Sequence, residues 1–183
     1  MPNIEKMLEF NRKFVAEERY RAYPATKSPR KKTVILSCMD TRLTELLLAA
    51  LDFKNGDVKL IKNAGAVVSH PFGSVMRSLL IAVYELGAEE ILVVGHHDCG
   101  MHGMDAARVL EKMAARGVEK KKFDFIRYCG VDIDKWLGGF ADVETSVAES
   151  VNLIKNHPLL PNDIRVYGFV IEPETGFLTA IDN

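Results

Sequence analysis

The sequence carries little net charge, few cysteines and no long apolar run, and each shortage removes a class of protein. Over 183 residues, 24 Lys and Arg face 25 Asp and Glu, a formal net charge of −1. A chain so balanced has no overall field to draw it to nucleic acid or to an anionic membrane, so neither partner is expected and small neutral ones are. No apolar stretch approaches the ~18 residues of a membrane span. The opening MPNIEKMLEFNRKF interleaves charges with apolar residues instead of presenting the apolar core of a secretory signal. A soluble, cytoplasmic protein is the expectation. Cysteine is limited to Cys38, Cys99 and Cys129. An odd count without an export signal fits reduced thiols, available to a metal or to catalysis, better than a disulfide framework. There is no repeat, low-complexity tract or domain linker, and a 48% apolar composition is enough for one core without staples. Residues 1–183 therefore read as a single domain.

Hydrophobic spacing then divides the chain. Residues 4–20 place Ile4, Met7, Leu8, Phe14 and Val15 among many charges, a helix with an irregular apolar stripe. Residues 1–22 are expected to pack on a partner subunit rather than on the chain's own core. YPATKSPRKK, with two prolines and several basic residues, reads as a solvated connection. TVILSC is a β-branched apolar run, and Leu43, Leu46, Leu47, Ala50 and Leu51 follow at helical spacing. DVKLIKNAG alternates like a half-buried strand. Phe72, Val75, Met76, Leu79, Leu80, Val83 and Leu86 predict a helix that Gly87 stops. EEILVVG is a third strand ending at His96, residues 104–117 and 142–156 look helical, and CGVDIDKWLGGF between them is too glycine-rich to assign. IRVYGFVIE, the turn PETG and FLTAI close the chain as a strand and its antiparallel return. Strands alternating with helices predict an α/β fold: a mainly parallel central sheet, flanking helices and a C-terminal antiparallel edge strand.

Two polar clusters sit at strand ends. ILSCMDTRL sets Cys38, Asp40 and Arg42 directly after the first strand, and ILVVGHHDCGM sets His96, His97, Asp98 and Cys99 after the third. In open α/β sheets the strands' carboxyl ends share one edge, where ligands bind, so the clusters are expected to meet. Two thiolates and an imidazole suit zinc, a borderline-soft ion tolerant of mixed sulfur and nitrogen ligands. Three ligands leave one tetrahedral position open, as catalytic zinc sites do, unless Cys129 closes it. Two thiolates also cancel the dication's charge, so help in ionising water is needed. Asp40 paired with Arg42 can supply it by accepting a hydrogen bond from that water. If the pair broke, Asp40 could become a conditional fourth ligand in a closed state.

CMDTR with HHDC resembles the C-x-D-x-R and H-x-x-C signatures of the β-class carbonic anhydrases, in their compact prokaryotic form. The likeness extends to IKNAGA, to RSLLIAVYELGAEEILVVGHHDCGM and to YGFVIEPETGFL. It implies a zinc enzyme that reversibly hydrates carbon dioxide to bicarbonate and a proton by metal-bound hydroxide. It also implies a homodimer or higher homo-oligomer whose N-terminal helices embrace the neighbouring subunit. Carried onto this chain, Cys38, His96 and Cys99 would bind Zn2+, with Asp40 and Arg42 the catalytic pair. His97 and His102 are candidate proton shuttles, since imidazole titrates near neutrality.

Each residue also has a plainer reading. A lone buried cysteine is usually a small hydrophobe, and a lone H-x-x-C carries little weight. Asp40 and Arg42 could be a helix-start carboxylate and a surface base. His97 could simply face solvent, His70 before Pro71 belongs to a helix start, and His157 to a loop. Cys129 reads as an ordinary thiol, Met101 and Met104 as core filler or pocket lining, and EKKKF as a solvated loop or helix end. Gly65, at the end of the second strand, allows close backbone approach or a tight turn. Two other functions compete. One is hydrolysis of carbonyl sulfide or carbon disulfide on the same fold. The other is a non-catalytic zinc or thiol module, which has no use for Asp40 or Arg42.

Overall fold

Every residue of the first strand, β1 (Thr33–Cys38), is buried, and its sequence TVILSC shows why: a strand covered on both faces needs a continuous apolar run rather than alternation. The computed structural model describes residues 4–182. In chain order it contains α1 (Ile4–Ala16), β1, α2 (Leu46–Ala50), β2 (Val58–Asn63), α3 (Ser74–Tyr84) and β3 (Glu90–His96). There follow α4 (Ala106–Ala115), α5 (Lys120–Tyr128), α6 (Ile133–Leu137), α7 (Val143–Lys155), β4 (Arg165–Ile171) and β5 (Leu178–Ile181). The strands form one sheet in the order β2-β1-β3-β4-β5. All pairings are parallel except β4 with β5, which closes the edge as an antiparallel return. This is the architecture expected from the sequence. No described helix is long and apolar enough to cross a membrane.

Successive side chains of β1 go to opposite faces. Val34 and Leu36 join Val93, Met76, Leu79, Val147, Val151 and Ile154 in a core built against α3 and α7. Ile35 joins Val94, Ile171, Leu43 and Leu47 on the other face, in a cluster that also takes in Cys38 and Cys99 at the ends of the strands. A third, separate cluster of Leu110, Phe123 and Ile133 holds α4, α5 and α6 together.

Two boundaries differ from expectation, and two open segments are decided. The helix after β1 is a short 3-10 turn, Thr41–Leu43, followed by α2, which ends before Asp52 turns left-handed (φ 51). α3 starts at Ser74, because Phe72 donates its N–H to His70 Nδ1 (3.0 Å) in a turn and its ring is exposed rather than in the core. Of the two readings of EKKKF, loop or helix end, the second holds: it opens α5, with Phe123 as the buried anchor beside three lysines. The unassigned glycine-rich segment contains α6, started by Asp132, whose side chain accepts the Lys135 N–H at 2.9 Å. α1 forms where the sequence places a helix and buries none of its residues; Ile4, Met7, Leu8, Phe10 and Val15 are all exposed.

Candidate metal centre

The parallel register sets the site. β1 pairs with β3 from Thr33 opposite Glu90 to Ser37 opposite Val94, so the two strands end side by side. Cys38 is the last residue of β1 and His96 the last of β3. Cys99 comes back over the sheet edge because Asp98 takes a left-handed backbone (φ 52). The Sγ atoms of Cys38 and Cys99 are 3.8 Å apart, and both residues are buried. These sulfurs and a His96 ring nitrogen all lie within 4.8 Å of one another, and among the described residues this is the one cluster arranged to hold a metal ion.

The groups fit zinc. Bonds of ~2.3 Å in a tetrahedron separate two sulfurs by ~3.8 Å. His96 Nδ1 lies 2.7 Å from the carbonyl oxygen of His97, which can only accept, so Nδ1 carries the proton and Nε2 presents its lone pair. That Nε2 is buried and has no protein partner. An orphaned buried acceptor costs ~1–3 kcal/mol, which a metal ion would recover. The backbone N–H of Gly65 donates to Cys38 Sγ (3.4 Å) and that of Met101 to Cys99 Sγ (3.5 Å), aids to thiolate character. Gly65 is left-handed (φ 80), and a Cβ there would approach Phe140, Val67 and Met101 within 3.3 Å. Both readings of this glycine, the turn and the close approach, are therefore correct.

The two thiols are inequivalent. Burial works against ionisation of Cys38, but the His96 ring, when its Nε2 is protonated, and the Gly65 and Asp40 backbone N–H groups outweigh it and bring the thiol down to about 7. Burial pushes Cys99 up to about 11, and the charge of Cys38 adds to that. The pair gives up one proton easily and a second only with a cation at hand.

Asp40 and Arg42 stand beside this cluster. Arg42 donates from Nε to Asp40 Oδ1 (3.0 Å) and from Nη2 to Asp40 Oδ2 (2.9 Å), a two-pronged ion pair. The Arg42 guanidinium holds the carboxyl down to about 2, against opposing desolvation. Asp40 Oδ1 also accepts the Arg42 backbone N–H at 2.9 Å, so the plainer reading as a helix-start carboxylate holds as well. Asp40 Oδ2 lies 3.9 Å from His96 Nε2, at the rim of the ligand cluster without belonging to it.

The other candidates fall elsewhere. His97 and His102 are exposed and line a cavity of about 280 Å³ with Asp98, Phe140, Asp142, Val143 and Glu144. The cavity also touches His96 and Cys99, but neither Asp40 nor Arg42 lines it. Cys129 is exposed at the end of α5, outside the ligand cluster. Met101 packs against the core cluster that contains Cys38 and Cys99. A larger cavity of about 350 Å³ at Lys155, Arg165 and Tyr167 opens where β4 begins, at the opposite edge of the sheet. Sequence reasoning missed Asp98, which binds Arg42 through both Oδ2 (2.8 Å) and its carbonyl (2.9 Å). It also missed Phe140, which covers Gly65. Asp98 stood in plain view inside HHDC, while nothing in the sequence marks Phe140.

Comparison with known proteins agrees with this geometry. The sequence model of the carbonic anhydrase family matches residues 33–178. The chain is 56% identical over 183 residues to a Bacillus subtilis (strain 168) protein named "Putative carbonic anhydrase YvdA", covering 100% of this chain and 93% of that one. The crystal structure of β-carbonic anhydrase isoform I from Trichomonas vaginalis superposes with a TM-score of 0.90 at 30% identity, over 100% of this chain and 99% of that one. A carbon disulfide hydrolase of Acidithiobacillus thiooxidans is 31% identical over 156 residues, 80% of this chain and 70% of that one.

Proposed function

Because the chain belongs to the β-class carbonic anhydrase family, we propose that it reversibly hydrates carbon dioxide to bicarbonate and a proton, with Zn2+ held by Cys38, His96 and Cys99. One observation carries the reading beyond metal binding: a carboxylate gripped by arginine lies 3.9 Å from the free nitrogen of His96, beside a cluster with only three side-chain ligands among the described residues. A structural zinc site has no need of it. Zinc held there supplies the Lewis acidity that makes a proton of water easier to remove.

The chain's own groups do the rest. Two thiolates and a neutral imidazole balance the dication, so the site as a whole stays near neutral. Asp40, held down to about 2, is ionised at neutral pH and too weak a base to store the proton. Its role is to accept a hydrogen bond and so orient the attacking water, while Arg42 fixes the carboxylate plane. As a conditional ligand, Asp40 would have to loosen its side-chain ion pair with Arg42. The released proton passes to solvent, and His97 and His102, which line the cavity beside His96, are the relay candidates. The exposed apolar face of α1 suits a second copy of the chain, giving a homodimer or higher homo-oligomer, and the free thiols suit a cytoplasmic setting.

The second reading, hydrolysis of a sulfur analogue, draws on the carbon disulfide hydrolase relative. Stopped-flow carbon dioxide hydration and sulfide release, measured on the same metal-quantified protein, separate the two. Hydration with little sulfide release is the expected result; the reverse would replace the proposal. D40A should keep its zinc and lose at least tenfold in kcat, the scale of one aligned catalytic group. A variant with full zinc and unchanged kcat would leave a non-catalytic zinc module as the better reading.

A further inference from the structure

Arg42 is held from two sides. Nε and Nη2 grip Asp40, and on the opposite side Nη1 donates to Asp98 Oδ2 at 2.8 Å while Nη2 also donates to Asp98 O at 2.9 Å. All three guanidinium nitrogens are engaged. Because the group is planar, it cannot turn with Asp40 without breaking bonds to Asp98. Asp98 itself is left-handed (φ 52), a conformation that strains most residues but that Asp and Asn tolerate. It lies between His96 and Cys99, so the loop that presents two ligand atoms also anchors the arginine.

We propose that Asp98 is a positioning residue: by fixing Arg42 it keeps Asp40 paired and away from the metal position, leaving the fourth side of the Cys38–His96–Cys99 set accessible. The proposal rests on reading those three residues as metal ligands, and not on carbon dioxide as substrate. The Asp98 side chain is 85% exposed and that of Arg42 37%, so the bias is modest, about threefold to fivefold.

The test uses full-length protein loaded with cobalt(II) and titrated with thiocyanate at one fixed pH, following the visible spectrum. D98G relieves the backbone, deletes the carboxylate and keeps the carbonyl bond; D98N keeps a neutral acceptor. D98G should weaken thiocyanate binding by about threefold to fivefold at unchanged cobalt content, because Asp40 then competes for the fourth position. D98N should shift less, in the same direction. In a D40A background the effect of D98G should vanish, which a general loosening of the loop would not reproduce. An unchanged affinity in D98G, or an equal loss in the D40A background, overturns the proposal. If D98G does not load cobalt, D98N with and without D40A makes the same comparison, with about twofold expected and no shift refuting it. Parent protein inactive toward carbon dioxide but behaving this way with cobalt would overturn the substrate reading alone.

Discussion

Gly139→Ala tests how the ligand loop is braced. A Cβ at Gly139 would sit 1.8 Å from the carbonyl oxygen of Met101 and 2.8 Å from Met104 Cβ. Three backbone bonds tie the same segments: Gly139 N to Met104 O (3.0 Å), Phe140 N to Met101 O (3.2 Å) and Gly103 N to Phe140 O (2.8 Å). A carbon needs well over 3 Å from a carbonyl oxygen, so the two segments must part by more than an ångström. Parting them breaks at least two of those bonds at ~1 kcal/mol each. With residual strain, the cost is about 2–4 kcal/mol. Gly100 is the control. It adjoins Cys99, yet a Cβ there meets nothing within 4 Å, so G100A should stay within about 1 kcal/mol of the parent. Guanidinium unfolding followed by circular dichroism reads the stability, and a metal-chelator competition reads the site. G139A should also hold metal more weakly, since Met101 closely follows Cys99. G139A within about 0.5 kcal/mol of the parent, or G100A costing more than G139A, would refute the bracing argument.

Two further outcomes follow from geometry away from the site. Asp57 accepts the Lys54 N–H (2.8 Å) and Arg30 Nε (2.8 Å), and these, the backbone bond first, hold it below the usual carboxylate range. A depressed folded-state value stabilises above the unfolded value near pH ~4 and is lost as pH falls through the lower one. D57N should therefore be less stable than the parent at neutral pH, with the gap closing below pH ~4 in a denaturation series; a gap independent of pH would contradict this. Deleting residues 1–22 should lower the assembly state in sedimentation velocity, because the apolar face of α1 is left exposed by its own chain. An unchanged sedimentation coefficient per subunit count would send that face elsewhere.

The sheet was legible because β1 and β3 are covered on both faces, which forces short apolar runs, rich in β-branched residues and each ending in a polar cluster. That Cys38, His96 and Cys99 would come together was legible for a related reason: they follow those runs, and parallel strands must end on one edge. Their types, two cysteines and a histidine, already limited the metal. Helix α5 was only partly legible because a single aromatic, Phe123, anchors it among lysines, and one buried residue makes no period. What the fold alone decided is orientation. Which residue of the ligand loop meets Arg42, which side chains share a cavity with His97 and His102, and which glycine admits a carbonyl oxygen all depend on packing between segments distant in the chain. Spacing along a sequence encodes a neighbour's distance within one helix or strand, but not the direction from which a remote one arrives.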